Sequence, residues 1–261
     1  MLTFIKLGGS LITDKLVENS YRQPVAERIA RAIRSACDER EMPLLIGHGS
    51  GSFGHAAAKR CGTISGVKTA EEWRGFAEVG FVASALNYLV SRTLVDAGLP
   101  IFRVQPSASA LAADGGIVSM ETAPIRAALD HGLIPLVYGD VAIDSVRGGT
   151  IISTEKIFFY LARQLPVKRI FLLGEVDGVY DQDHRVIERI TPQNFPEIEA
   201  ALAGSGGIDV TGGMETKVRD MLALTEHVPG LSIRIFNGMT PGLLHEALVE
   251  RAFPGTLISA S

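Results

Sequence analysis

Pro43-Leu44-Leu45-Ile46-Gly47-His48-Gly49-Ser50-Gly51-Ser52-Phe53-Gly54-His55 runs from a short apolar stretch straight into a glycine-rich segment. Residues 43–46 read as a buried strand, and the glycines after them read as a tight loop at its carboxyl end. Gly49-Ser50-Gly51-Ser52-Phe53-Gly54 matches G-x-G-x-x-G literally, and Glu71 and Glu72 lie at about the distance expected of a ribose ligand, so a dinucleotide oxidoreductase has to be weighed. Two features argue against it. The acidic residue should end a second strand, whereas Glu71 and Glu72 precede Trp73 and open a helix, and the match stands at the second strand of the chain. A Walker A loop is excluded because no Gly-Lys-Ser/Thr closes a glycine run. What remains is a loop whose amides can hold an anion, followed at His55 by an expected helix start from which the imidazole can reach the same anion. His48, before the loop, reads as a structural histidine.

Upstream, residues 3–7 form another apolar run stopped by Gly8-Gly9, with Lys6 before the turn and Ser10 after it. Backbone N–H groups can approach an anion closely at such a turn, and Lys6 adds a full positive charge. Lys15 stands in a loop just beyond. A helix follows, with Pro24 in its first turn and Val25, Ile29, Ile33 and Cys37 on one face. Downstream, the spacing predicts a helix over 71–96, strands at 101–104 and 133–138 with a helix over 122–131 between them, and a hairpin of 141–144 with 150–153. Helix 156–164, strand 169–173, helices 197–203 and 214–227, strand 232–236 and helix 242–251 complete the chain. This alternation predicts a three-layer α/β sandwich around a mostly parallel sheet, with ligands at the carboxyl ends of the strands. A lobe boundary falls near Pro166, dividing residues 1–165 from 166–261.

A chain of 261 residues, 46% hydrophobic and 21% charged, can bury a large core without disulfides or structural metals. Its net charge of -4, with no lysine and arginine cluster, lacks the footprint of a nucleic-acid or anionic-membrane binder. Cys37 and Cys61 make neither a disulfide framework nor a zinc spacing. The apolar N-terminus is interrupted by Lys6 and Gly8-Gly9, and no apolar run is long enough to span a bilayer, so a soluble cytoplasmic protein is expected.

The second half carries two further turns. Gly174-Glu175-Val176-Asp177-Gly178-Val179-Tyr180 follows a strand, and Thr211-Gly212-Gly213-Met214-Glu215-Thr216-Lys217 opens a helix. Glycine turns with lysines on both halves suggest a polyphosphate gripped from both ends. In phosphoryl transfer, positioned cations and amides supply most of the catalysis.

Taken together, these motifs, with Thr13-Asp14-Lys15, Tyr138-Gly139-Asp140-Val141 and Asp209-Val210-Thr211, resemble the amino-acid kinase superfamily. Phe53-Gly54-His55 with Thr13-Asp14-Lys15 is similar in particular to the isopentenyl phosphate kinases. The resemblance implies an open αβα sandwich that moves the γ-phosphoryl of ATP, accompanied by Mg²⁺, to an isoprenyl phosphate, and it implies a homodimer. It assigns residues 1–165 to the acceptor and 166–261 to the nucleotide. Lys6, Gly8, Gly9 and Ser10 would hold the ATP phosphates, with Lys6 between donor and acceptor, and Lys15 would neutralise the transferring group. Ser50 and Gly51 would offer amides to acceptor and donor respectively, and His55 would hydrogen-bond the acceptor phosphate. Asp177, Gly213 and Lys217 would serve the nucleotide. Where many relatives have Ser-Gly-Asp, this chain has Ser153-Thr154-Glu155, leaving Thr154 to contact the acceptor and Glu155 to replace the acidic residue. Phe76, Val79, Gly80 and Ala83 share a helix face that could line an isoprenyl tail. The alternatives are a kinase for another small phosphate or phosphonate such as fosfomycin, and a nucleotide-binding regulator without turnover.

Overall fold

Five of the six residues of β1 (Leu2–Leu7) are buried, Lys6 being the exception, so the first strand runs through the middle of the molecule. The computed structural model describes residues 1–14, 16–63, 66–203 and 214–261, the side chains at 55, 61 and 200–203 excepted. After β1 come α1 (Gly9–Ile12), α2 (Gln23–Glu39), β2 (Leu44–His48), α3 (Gly51–Cys61), α4 (Ala70–Asp96), β3 (Ile101–Arg103), β4 (Leu111–Ala113) and β5 (Gly116–Ser119). Then follow α5 (Ala123–Asp130), β6 (Ile134–Tyr138), β7 (Asp140–Asp144), β8 (Gly148–Ile152), α6 (Thr154–Ala162), β9 (Val167–Gly174), β10 (Arg189–Ile190) and α7 (Phe195–Ala203). The chain ends with α8 (Met214–His227), β11 (Ser232–Asn237), α9 (Leu243–Leu248) and β12 (Thr256–Ser259).

Eight strands form one sheet in the order β10-β12-β11-β9-β1-β2-β6-β3, parallel throughout except where β11 meets β12. Alternation along the strands sends Phe4, Leu45, Val137, Ile170 and Ile233 to one face, under Ile125 of α5, Phe158 of α6 and Val218 of α8. Ile5, Leu7, Ile46, Leu136 and Phe236 go to the other, under Ile33 of α2, Leu86 of α4 and Leu248 of α9. Two apolar cores on one sheet make three layers, as the alternation predicts. The chain winds from β1 through β2 to the edge strand β3 and back in to β6, then returns to β9 on the other side of β1 and continues away from it. The crevice between β1 and β9 is therefore the topological switch point.

Three differences from the sequence reading have local causes. The expected two-stranded hairpin belongs to a second sheet of four strands, β5-β4-β7-β8. Its extra hairpin turns at Asp114 and Gly115, both at positive φ, and β4 is Leu-Ala-Ala, too short and too rich in small residues to register as a strand. The strands β10 and β12, of two and four residues, are too short for alternation to show. The glycine motif is also less loop than expected: α3 begins at Gly51, so His55 lies inside the helix rather than at its first position. Glycine's low helix propensity hid that turn. α4 starts where a capping box sets it, the Thr69 hydroxyl accepting from the Glu72 amide while the Glu72 carboxylate accepts from the Thr69 amide.

Candidate active site

The glycine turns after β1 and β2 touch each other backbone to backbone. A Cβ on Gly9 would stand 2.7 Å from the Gly51 nitrogen, and one on Gly49 would stand 2.8 Å from the Gly9 nitrogen. Gly8 donates its amide to the Leu173 carbonyl at 2.8 Å, and a Cβ there would meet that oxygen at 2.6 Å. Side chains at these positions would push the strand ends apart, so glycine is required by proximity. Thr13, fully buried, clasps the arrangement: its Oγ1 donates to the Gly9 carbonyl at 2.7 Å and accepts from the Ser52 amide at 3.0 Å. The first turn of α3 is thereby aimed at the carboxyl ends of β1 and β2, where amides and helix dipole favour an anion. Ser50 is the N-cap residue of α3, and its side chain makes no capping bond.

Lys6 reaches toward the same end of the sheet and forms an ion pair with Glu155, in the first turn of α6. The side chains are 14% and 24% exposed, which leaves the pair open to a ligand on one side. Burial works to raise the Glu155 carboxyl, but Lys6, through charge and hydrogen bond, and the charge of Lys217 hold it below the usual carboxylate range. Glu155 thus brings together the lysine of β1 and the lysine of α8. Of the two groups, amide and hydroxyl, by which Thr154 was expected to contact the acceptor, the hydroxyl already has a partner. Its Oγ1 is buried and donates to the His48 carbonyl at 2.6 Å, leaving the backbone amide as the group free to serve an acceptor.

His48 is fully buried on the α4 side of the sheet. Its Nδ1 lies 3.0 Å from the Gly49 carbonyl, its Nε2 lies 3.1 Å from Asn87 Nδ2, and its ring stacks on Tyr138 at 5.6 Å. Burial lowers its pKa to about 4, against the raising effect of the Gly49 carbonyl. Nearby, burial together with Asp140 raises the Tyr138 hydroxyl. Burial also raises Asp140, although the amides of Ser107 and Val141 donate to it at 3.0 and 2.8 Å.

Across the switch point, Asp177 Oδ1 accepts from Asn237 Nδ2 at 2.9 Å, tying the loop after β9 to the end of β11. A cleft of about 580 Å³ lies beyond it, between Asp177, Arg189, Arg234 and Phe253, and no residue of the glycine turns after β1 and β2 lines it. Lys15, the side chain of His55 and Gly213 fall outside the described residues. Among those described, the structure brings Lys6, Gly8, Gly9, Ser10, Ser50, Gly51, Thr154 and Lys217 to one end of the sheet around the β1 turn. Val79 and Ala83 are buried, with Val79 in a small cluster beside Ala57, Ala58 and Val141, and a Cβ on Gly80 would stand 3.0 Å from Val141. The sequence reading missed Thr13 as a clasp and Asn87 as a partner of His48. No motif marks Asn87, and only its place on the α4 face four residues after Ala83 hinted at it.

The sequence pattern of the amino acid kinase family matches residues 1–237. The chain is similar to the isopentenyl phosphate kinase of Methanocaldococcus jannaschii, 36% identical over 256 residues and 95% of each chain. It is likewise similar to the isopentenyl phosphate kinase of Methanothermobacter thermautotrophicus, 35% identical over 271 residues and 99% of each chain. A solved structure described as isopentenyl phosphate kinase superposes with a TM-score of 0.84 at 32% identity, covering 99% of this chain and 100% of that one.

Proposed function

Because the chain belongs to the amino acid kinase family, we propose that it transfers the γ-phosphoryl group of ATP to isopentenyl phosphate, forming isopentenyl diphosphate and ADP. The observation that carries this reading is the backbone contact between the two glycine turns beside Lys6, Glu155 and Lys217. It makes one continuous anion site with cations from both halves of the chain. In the reaction, an oxygen of the acceptor phosphate bonds to the γ-phosphorus while the bond to the β,γ-bridging oxygen breaks, and ADP leaves with that oxygen. The acceptor already carries its nucleophilic oxygen, so orientation and charge neutralisation matter more than deprotonation.

In this reading the Gly9 and Gly51 amides and Ser10 hold the ATP phosphates, Gly8, whose own amide is taken by the Leu173 carbonyl, lets them approach the backbone closely, and Lys6 stands between donor and acceptor. Lys15 neutralises the transferring group, and Lys217 reaches the terminal phosphates, with Gly213 and Asp177 on the nucleotide side. The Ser50 and Thr154 amides and His55 orient the acceptor phosphate. Its tail runs toward the Phe76, Val79, Gly80 and Ala83 face of α4. Glu155 holds Lys6 by its ion pair and draws Lys217 toward the same place by its charge. Residues 1–165 serve the acceptor and residues 166–261 the nucleotide. Mg²⁺ would accompany ATP and would help neutralise the charge on its phosphates.

Among the described residues no helix is long and apolar enough to cross a membrane, and a cytoplasmic enzyme fits this substrate chemistry. A homodimer completes the reading: α4 leaves Phe81, Tyr88 and Val95 exposed at heptad spacing, an apolar stripe suited to a second copy. ADP formation measured with Mg²⁺-ATP against isopentenyl phosphate, dimethylallyl phosphate, fosfomycin and UMP tests the function. Turnover of isopentenyl phosphate that is lost in His55→Ala is the expected result. No turnover of either isoprenyl phosphate would assign the fold a different acceptor.

A further inference from the structure

His48 has two neighbours that fix its chemistry. A carbonyl can only accept, so Nδ1, 3.0 Å from the Gly49 oxygen, carries the proton. Burial keeps the ring neutral, so Nε2 is a lone pair and takes a hydrogen from Asn87 Nδ2 at 3.1 Å. The main chain of His48 is held as firmly, its carbonyl accepting from Thr154 Oγ1 at 2.6 Å and from the Gly139 amide at 3.2 Å. The ring therefore reaches forward from a fixed strand end, lies flat on Tyr138, and grips the first peptide of the glycine turn. Asn87 sits on α4 eight residues after Val79 and four after Ala83, on the face proposed to read the acceptor's tail.

We infer that His48 and Asn87 are positioning residues for the acceptor: together they tie the Gly49 peptide, and with it the amides that follow, to the helix whose next turns line the tail. The inference rests on the reading of residues 49–55 as the acceptor-phosphate site. It gives the geometry of the turn a cause, since Gly49 and Gly51 have no side chains with which to hold their own conformation. A neutral histidine of one tautomer suits this task. It presents a donor and an acceptor on opposite sides of a rigid ring, and it adds no charge that would compete for the phosphate.

Three substitutions at His48, with Asn87→Leu beside them, separate the parts. His48→Asn keeps an N–H near the Nδ1 position, His48→Gln meets Asn87 but releases the Gly49 carbonyl, and His48→Phe keeps only the stacking on Tyr138. With isopentenyl phosphate, His48→Gln and His48→Phe should raise the acceptor KM about tenfold, the scale of one hydrogen bond, while the ATP KM stays within about twofold. His48→Asn should restore most of the acceptor KM, and Asn87→Leu should fall between. Hydrogen–deuterium exchange on the ligand-free proteins gives a readout independent of turnover. Amides of residues 49–54 should exchange faster in His48→Phe and Asn87→Leu, and near the wild-type rate in His48→Asn. Wild-type protein inert toward isopentenyl phosphate would overturn the functional reading, with the exchange data still judging the tether. Acceptor and ATP KM rising together, or equal exchange in all variants, would overturn the tether and leave His48 as ordinary core.

Discussion

The Glu155 carboxylate pairs with the Lys6 ammonium across 149 positions of sequence, joining the middle strand of the sheet to the first turn of α6. Because Lys217 on α8 also acts on that carboxylate, one acidic side chain sets the spacing of two cations from opposite halves of the chain. A polyphosphate arriving between them exchanges part of this pairing for its own, so the site is preorganised for charge before substrate enters.

Glu155→Gln should therefore damage turnover more than folding. Removing the negative charge leaves Lys6 and Lys217 repelling each other where the transferring group must sit, and kcat should fall on the order of a hundredfold. The pair is partly open to solvent, so the stability change should stay within about 1 kcal/mol. Glu155→Asp, a charge-conserving change, should retain most of kcat. Steady-state kinetics beside thermal melts check this, and a loss of kcat in Glu155→Gln matched by a large loss of melting temperature would make the pair merely structural.

The two lysines should separate kinetically. Lys6→Ala removes the cation proposed to stand between donor and acceptor and should lower kcat with little change in either KM. Lys217→Ala removes the charge proposed to serve the nucleotide and should raise the ATP KM about tenfold or more. Titration of the nucleotide by calorimetry provides the binding half of the comparison. Equal effects on kcat and ATP affinity in both variants would dissolve the division of roles.

How much of this was legible beforehand follows from what each residue does locally. Parallel strands buried on both faces leave unbroken apolar runs, so β1, β2, β6, β9 and β11 stood out in the sequence. The glycine turns stood out because few local needs other than close approach place glycines at strand ends. The contact between Gly9 and Gly51 did not, since it depends on β1 and β2 being neighbours in the sheet. Glu155 looked like a departure from a familiar pattern until the fold put it against Lys6. Asn87 was invisible for a different reason: a single amide on a long helix gains meaning only from the buried ring opposite. The β4–β5 half of the second sheet was missed because its strands have only three and four residues and β4 is Leu-Ala-Ala, whereas the β7–β8 hairpin was legible.

Close approach makes a sharp prediction about glycine. Gly9→Ala places a Cβ 2.7 Å from the Gly51 nitrogen and 2.8 Å from its Cα, and both obstacles are backbone. It should cost about 1–3 kcal/mol and abolish turnover by prising the two turns apart. Gly116→Ala is the control, its nearest contact being the Ala113 carbonyl at an ordinary 3.5 Å. Chemical denaturation of the two variants checks the contrast, and a neutral Gly9→Ala would refute the backbone contact.

His48 predicts the acid side of the stability profile. Its folded pKa, depressed to about 4 by burial, lies below the ordinary histidine value of 6.5, so between these values the unfolded chain binds the extra proton. The neutral ring's contribution is fully present above pH 6.5 and is lost progressively as pH falls toward 4, amounting to on the order of 3 kcal/mol. Glu155 moves the same way but lower, because a carboxyl held below its usual range loses its contribution only as pH falls through that range. Melting temperature recorded from pH 7 to pH 4.5 should decline in the wild type and decline less in His48→Asn, which has nothing to protonate. An unchanged slope in that variant would mean another group carries the acid sensitivity and that the His48 ring accepts its proton without leaving its place between Gly49 and Asn87.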